Sequence, residues 1–497
     1  MTASLLICED LVIGYGGDAP VVNKASFTIA RGECLALVGQ SGSGKTSIAR
    51  AILGILPDAS RVSGTVRLDG RDLLGKSETA LRKLRGLQVG YVAQDPYQAC
   101  DPLRPVHDHV VDAWQVHGLA APEGVALQRL HKSGIPLAEQ AIWDFPHAWS
   151  GGMLQRASIV AACAHNPPLI VADEPTSAID AERSDATIGA LKASGAAMLL
   201  ISHDLRLVLR HADRIAVCHD GRIIEIGTAD TIATAPVEDY TKQFVAAAQA
   251  VNLSRVRDDV LGAPIISARQ LAKHYARGRT EHIAIEHADL DIRASEIVGV
   301  SGPSGCGKST LLRLLGDIER PTSGTIDYAP ALTRPGAIMP IFQDPVAILD
   351  ARWPIWRSIV EPMLAQPGTD RDRTALRRSV QALLRRVGLS HIDIDSLPSE
   401  LSTGQCQRIC IARAIIAKPR LIIADEPTSA LDTLSTAAVL DLLEIAAGDG
   451  TAIFMISHDR PLLDAFCHRV LDMRAGVLQQ SCAPISAIPL VDANSCC

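Results

Sequence analysis

The chain has 497 residues, too many for one ordinary hydrophobic core, so two domains are expected. Its 48 basic and 55 acidic residues leave a net charge of −7, which argues against bulk nucleic-acid binding while leaving room for a local basic patch. Hydrophobic residues make up 47% of the chain, yet no apolar run approaches the roughly 18 residues needed to cross a bilayer.

At the N-terminus, Glu9 and Asp10 follow a short apolar run that lacks a charged leader and a cleavage site. A cytosolic protein is expected, with any membrane contact made through a partner. Cys34 to Val38 is an apolar run of strand type. It leads into Gly39-Gln40-Ser41-Gly42-Ser43-Gly44-Lys45-Thr46, which fits the GxxxxGK[ST] phosphate-cradling pattern. A polyphosphate needs a ring of backbone N–H donors at close range, which side chains would obstruct. Lys45 supplies a charge at the outer phosphates and Thr46 a hydroxyl for Mg²⁺. Ile48, Ile52 and Ile55 then recur at helical spacing, so a helix points its positive end at the anion. His107 and His109 flank Asp108 in a polar stretch that reads as a solvated loop, with a metal-binding role as the alternative. Leu169 to Glu174 is an apolar strand ending in two carboxylates. In α/β sheets ligands gather at such strand ends. Asp173 suits Mg²⁺ and Glu174 suits the general base that polarises an attacking water.

The same order then recurs. Ile297 to Val300 is a strand, and Gly302-Pro303-Ser304-Gly305-Cys306-Gly307-Lys308-Ser309 is a second phosphate loop. Leu311, Leu314, Leu315 and Ile318 are spaced for a helix, and Leu421 to Glu426 repeats the strand with its Asp425-Glu426 pair. A tandem duplication is expected, with domains at 1–250 and 265–497 and a linker at 251–264. Each half mixes strands and helices, as an α/β layered domain does. The twelve cysteines contain no C-x-x-C pair, which suits a reducing compartment. Cys406 and Cys410 share a helix face without evident partner ligands, and Cys496 and Cys497 fall in a tail expected to fray.

These halves resemble the nucleotide-binding domains of ATP-binding cassette (ABC) proteins over nearly the whole chain. Ser150-Gly151-Gly152-Met153-Leu154-Gln155-Arg156 and Ser402-Thr403-Gly404-Gln405-Cys406-Gln407-Arg408 resemble the family's signature motif. Gln94 and Gln343, each followed by Asp-Pro, resemble its Q-loop; Ser177 to Asp180 and Ser429 to Asp432 resemble its D-loop. His203 and His458 resemble its switch histidine, and Tyr15 and Tyr275 stand where the family stacks a ring on adenine. The resemblance implies two tandem P-loop NTPase domains, each α/β with a mixed sheet core and a helical subdomain. It implies that ATP contacts Gly39, Ser41, Gly42, Gly44, Lys45, Thr46 and Ser47 in the first loop, and Gly302, Ser304, Gly305, Gly307, Lys308, Ser309 and Thr310 in the second. Mg²⁺ would be held by Thr46, Gln94 and Asp173, or by Ser309, Gln343 and Asp425. Catalysis would fall to Glu174, Gln94 and His203, and to Glu426, Gln343 and His458.

The family pairs its domains head to tail. Carried over, Ser402, Gly404 and Gln405 would complete the first site, and Ser150, Gly151 and Gly152 the second. Thr403 stands where the family usually has glycine, and a Cβ there would crowd a phosphate or strain the backbone, which leaves the equality of the two sites open. Trp149 and Met153 also depart from the usual signature. The Q-loop surroundings, and Gly227 to Thr241 with Pro236 and Tyr240, resemble the dipeptide, oligopeptide and nickel importer branch. That branch implies two permease subunits, an extracytoplasmic solute-binding protein and a peripheral place on the cytoplasmic face of the inner membrane. Nucleic acid is not an expected partner. The alternatives are a soluble ABC ATPase acting on ribosomes or DNA, or an accessory ATPase of a metabolic complex. The join carries few charges beyond Arg255, Arg257, Asp258 and Asp259, unlike the long charged linker of the translation branch.

Overall fold

The computed structural model describes residues 4–16, 19–135, 138–176, 181–250, 261–277, 280–303, 305–369, 371–429 and 431–480. Ser304, the Ser177 to Asp180 motif, Ala430, positions 251–260 of the expected linker and the cysteines at 496 and 497 lie outside them. The chain divides into two compact units, 1–251 with 431–438, and 252–430 with 439–497. No helix among the described residues is long and apolar enough to cross a membrane.

The first unit holds two sheets. In the strand Val22–Ala30, alternate side chains Ala25, Phe27 and Ile29 are buried, the period of a sheet covered on one face. It pairs antiparallel with Ser4–Tyr15, which pairs with Ser60–Leu68 and then Arg71–Asp72. The second sheet runs Arg222–Thr228, Arg214–His219, Cys34–Gly39, Ala197–Ile201, Leu169–Asp173 and Val89–Val92. Its central strands are buried at every position and pair in parallel, as strands covered on both faces must. The helix Lys45–Leu53 buries Ile48 and Ile52. It stops earlier than the spacing predicts: the chain turns left-handed at Gly54, whose N–H caps the last turn, and Ile55 is 41% exposed.

The second unit repeats the plan with one nine-stranded sheet. Its antiparallel part, Ser323–Tyr328, Pro264–Arg277 and Thr280–Arg293, joins the rest through the pair His287 and Val477. The parallel strands Arg469–Arg474, Ile297–Ser301, Ala452–Ile456, Leu421–Asp425 and Ile338–Ile341 follow in that order. The helix Lys308–Leu315 buries Leu311, Leu314 and Leu315 and is closed by Gly316, so Ile318 falls beyond it and is 48% exposed.

Each unit carries a second, helical core. Val106–Gln115, Val125–Lys132 and Gly151–Ala162 meet around Val110, Leu130, Trp149 and Leu154. Trp149 is buried and donates its indole N–H to Ala141 O at 2.9 Å. His107 and His109 belong to this core's first helix, not to a loop. Pro105 caps that helix, and Val106, Val110 and Trp114 give it a buried stripe. His107 stacks on Trp143 with ring centres 4.3 Å apart, and His109 meets Asp101 O at 3.1 Å. In the second unit Ile355–Leu364, Arg373–Arg386 and Thr403–Ile416 pack around Ile359, Val380, Leu383 and Ile409. Cys406 and Cys410 serve this core: both are buried, and burial pushes the Cys410 thiol up to about 12.

Candidate functional site

Both phosphate loops leave the carboxyl end of a buried parallel strand and enter a helix at its lysine. Gly39 and Gly302 begin them with φ of 142° and 152°. A Cβ on Gly39 would stand 2.0 Å from Cys218 O, and one on Gly302 would stand 2.2 Å from Met473 O. Gly42 and Gly305 differ. A Cβ there would meet nothing within 4 Å, and only their φ of 84° and 79° asks for glycine. Gly39→Ala is therefore expected to destabilise the first unit by about 3 kcal/mol or more. Gly42→Ala should cost only about 1 kcal/mol and yet is expected to lose nucleotide binding, because its methyl would fill open space that the loop's sequence pattern assigns to phosphate. Urea unfolding and equilibrium nucleotide binding on the two variants check this contrast.

Lys45 is buried and donates to Gly39 O at 2.8 Å, Gln40 O at 2.7 Å and Ser43 Oγ at 3.2 Å. Burial draws its ammonium below the usual lysine range. Lys308 folds the same way, onto Gly302 O at 2.6 Å and Pro303 O at 2.9 Å. Each ammonium is thus parked on the carbonyls of its own loop.

The next side chain faces the strand-end carboxylate. Thr46 Oγ1 donates to Asp173 Oδ1 at 3.3 Å, and Ser309 hydrogen-bonds Asp425. Burial pushes Asp173 up to about 6, and its Oδ2 has no hydrogen-bond partner among the described residues. A buried carboxylate oxygen left open beside a hydroxyl is a donor set that fits a hard, oxygen-seeking cation such as Mg²⁺.

Glu174 and Glu426 stand one residue past the strand, with φ of 45° and 49°. Their N–H groups donate across to Ile201 O and Ile456 O, both at 2.9 Å. This left-handed step swings each carboxylate off the sheet axis. Glu174 accepts from Gln94 Nε2 at 2.8 Å and pairs with His203 Nδ1 at 3.3 Å. Glu426 meets Gln343 Nε2 and His458 Nδ1, each at 3.3 Å. Burial alone would raise the Glu174 carboxyl, but His203, Lys45 and the Gln94 amide outweigh it and hold Glu174 below the usual range. Likewise burial opposes the charged form of His203, and Glu174 overrides it, raising His203. Three stretches far apart in sequence thus converge on one ionised carboxylate in each unit.

Ser150 caps the helix Gly151–Ala162, accepting from Met153 N at 3.3 Å. Ser402 caps Thr403–Ile416 and adds a full capping box, since Gln405 Oε1 accepts Ser402 N at 2.9 Å. Met153 has no such acceptor. Thr403 opens its helix in ordinary right-handed backbone and is exposed, so the strain expected of it is absent. Behind the caps, Gln155 Nε2 donates to Ala93 O and Gln407 Nε2 to Pro427 O, both at 3.1 Å. Tyr15 OH donates to Ser47 Oγ at 2.9 Å, and Tyr275 OH to Glu319 Oε2 at 2.5 Å. Glu319 escaped sequence reasoning because no motif or period marks it.

A sequence profile of the ABC transporter family matches residues 22–177 and 285–429. The chain belongs to that family. It is therefore an ABC ATPase with two tandem cassettes. It is 35% identical to the peptidoglycan transport ATP-binding protein YejF of Agrobacterium fabrum, across 99% of this chain and 95% of that one. It is 31% identical to the oligopeptide transport ATP-binding protein OppD of Mycobacterium tuberculosis, covering 95% and 94%. It is 32% identical to the glutathione import ATP-binding protein GsiA of Pectobacterium atrosepticum, covering 93% and 83%. Among solved structures, RNase-L Inhibitor aligns over 95% of this ABC ATPase and 89% of its own chain, with TM-score 0.66. At 19% identity that likeness speaks for the fold alone.

Proposed function

We propose that this ABC ATPase powers an importer of peptides or peptide-derived solutes. It works with two permease subunits and an extracytoplasmic binding protein, from the cytoplasmic face of the membrane. The observation that carries the reading is full-length similarity, through both cassettes, to ATP-binding proteins named for oligopeptide, peptidoglycan and glutathione transport.

The two sites supply the chemistry. Thr46, Asp173 and Gln94, and in the second cassette Ser309, Asp425 and Gln343, would hold Mg²⁺. The cation neutralises charge on the phosphates when bound. Lys45 and Lys308 leave their loop carbonyls for the outer phosphates. Glu174 and Glu426, kept ionised, take the proton of the attacking water, and His203 and His458 orient them. The signature serines Ser150 and Ser402 cap helix turns whose first N–H groups suit the γ-phosphate of a bound ATP. ATP binding favours one state of the protein, and hydrolysis releases it.

Affinity purification of the tagged chain from detergent-solubilised membranes tests the assignment. Two integral membrane proteins of permease type should co-purify. Co-purification with ribosomes, or with soluble enzymes and no membrane protein, would overturn it.

A further inference from the structure

The segment after the first cassette's last strand folds into two helices, Ala229–Thr234 and Asp239–Ala250. Glu225 clamps the turn between them, accepting from Val237 N at 2.8 Å and Glu238 N at 3.0 Å. Phe244 anchors the second helix in the core with no exposed surface. Tyr240 stacks on His219 with ring centres 4.0 Å apart and lies 6.1 Å from Phe244. Stacking accounts for the ring. It does not account for the hydroxyl, which accepts from the backbone N–H of Gln40 at 3.1 Å.

That N–H belongs to the Gly39–Gln40 peptide. The carbonyl of the same peptide accepts from Lys45 Nζ at 2.8 Å. One peptide therefore carries a chain from the Tyr240 hydroxyl to the ammonium at the phosphate site. Accepting at the N–H also polarises the carbonyl toward the lysine. Gly39 is the residue most able to let this peptide rotate, so an outside tether there has work to do. Burial raises the Tyr240 phenol to about 12, so it stays neutral across the working range of pH.

The second loop cannot receive such a tether. Pro303 occupies the position of Gln40, and proline has no N–H. Lys308 still folds onto the two loop carbonyls, so the parked lysine does not itself require the tether. We propose that Tyr240 is a positioning residue of the first nucleotide site alone, through which the tail after the first cassette sets the entrance of the phosphate loop and its affinity for ATP. This rests on the two loops being the ATP sites.

The test uses the full chain and a fluorescent trinitrophenyl-ATP probe. In a Lys308→Ala background the tighter remaining site is the first; in a Lys45→Ala background it is the second. Tyr240→Phe is expected to weaken the first about three- to tenfold, the span of one hydrogen bond, and to change the second less than twofold. The KM for ATP should rise with kcat nearly unchanged, which a general loss of stability would not produce. Gln40→Pro, copying the second loop, should weaken the first site similarly and add nothing to Tyr240→Phe. Unchanged first-site affinity in Tyr240→Phe, or equal weakening at both sites, overturns the proposal whether or not Gln40→Pro folds. Undiminished probe binding in Lys45→Ala/Lys308→Ala would instead overturn the loops as nucleotide sites, and this proposal with them.

Discussion

Glu174→Gln combined with Glu426→Gln is expected to lower ATP hydrolysis by about 10²–10⁴-fold while ATP still binds. The geometry explains why the two effects separate. Each glutamate sits beyond the strand end, away from the lysine-bearing loop's own hydrogen bonds, and is reached by one glutamine and one histidine. An amide of the same shape keeps a hydrogen-bonding group in place but cannot take a proton from water. Removing the charge also leaves His203 without the partner that outweighs its burial, so burial should then draw the imidazole down and disfavour its charged form. Phosphate release at saturating ATP, with probe binding on the same preparation, gives both numbers. Near-normal turnover in the double variant would remove these carboxylates from the chemistry.

Much of this was legible beforehand, for identifiable reasons. The loops showed because a close backbone approach at Gly39 and Gly302 admits only glycine, and because Cys34 to Val38 and Ile297 to Val300 before them are unbroken apolar runs. The paired carboxylates showed because Leu169–Asp173 and Leu421–Asp425 have no polar residue until the strand ends. Helix ends were less legible: apolar spacing carried both loop helices too far, since an isoleucine just past a closing glycine still keeps the period. His107 and His109 misled for the opposite reason, polar residues on the open face of a helix whose buried stripe is made by Val106, Val110 and Trp114. Thr403 was expected to crowd a phosphate or strain its backbone, and of these the strain is absent because a helical first position does not impose it. The convergence of Gln94, Glu174 and His203 came from family resemblance and not from spacing, because only the sheet's strand order brings those stretches side by side. Tyr240 was visible as part of a tail, but its reach to Gln40 spans 200 positions and leaves no local signal.

Lys45→Ala and Lys308→Ala should each weaken ATP binding at its own site about 10–100-fold, the range for hydrogen bonds to a charged group. Both ammonium groups are already desolvated and aimed, so binding exchanges loop carbonyls for phosphate oxygens and asks for little reordering. Deleting either side chain removes the only formal positive charge of its loop. Calorimetric titration should then find two tight sites in the wild type and one in each variant. Two tight sites persisting in either variant would contradict the assignment of that loop. The sizes of the two losses carry further information. The first loop has a tether at Gln40 and the second has a proline there, while only the second signature helix closes a capping box. Sites built on such different supports are expected to lose affinity by different factors. Equal losses would mean that the lysine–phosphate contact dominates whatever frames it, and the two halves would count as functionally equivalent despite their separate framing.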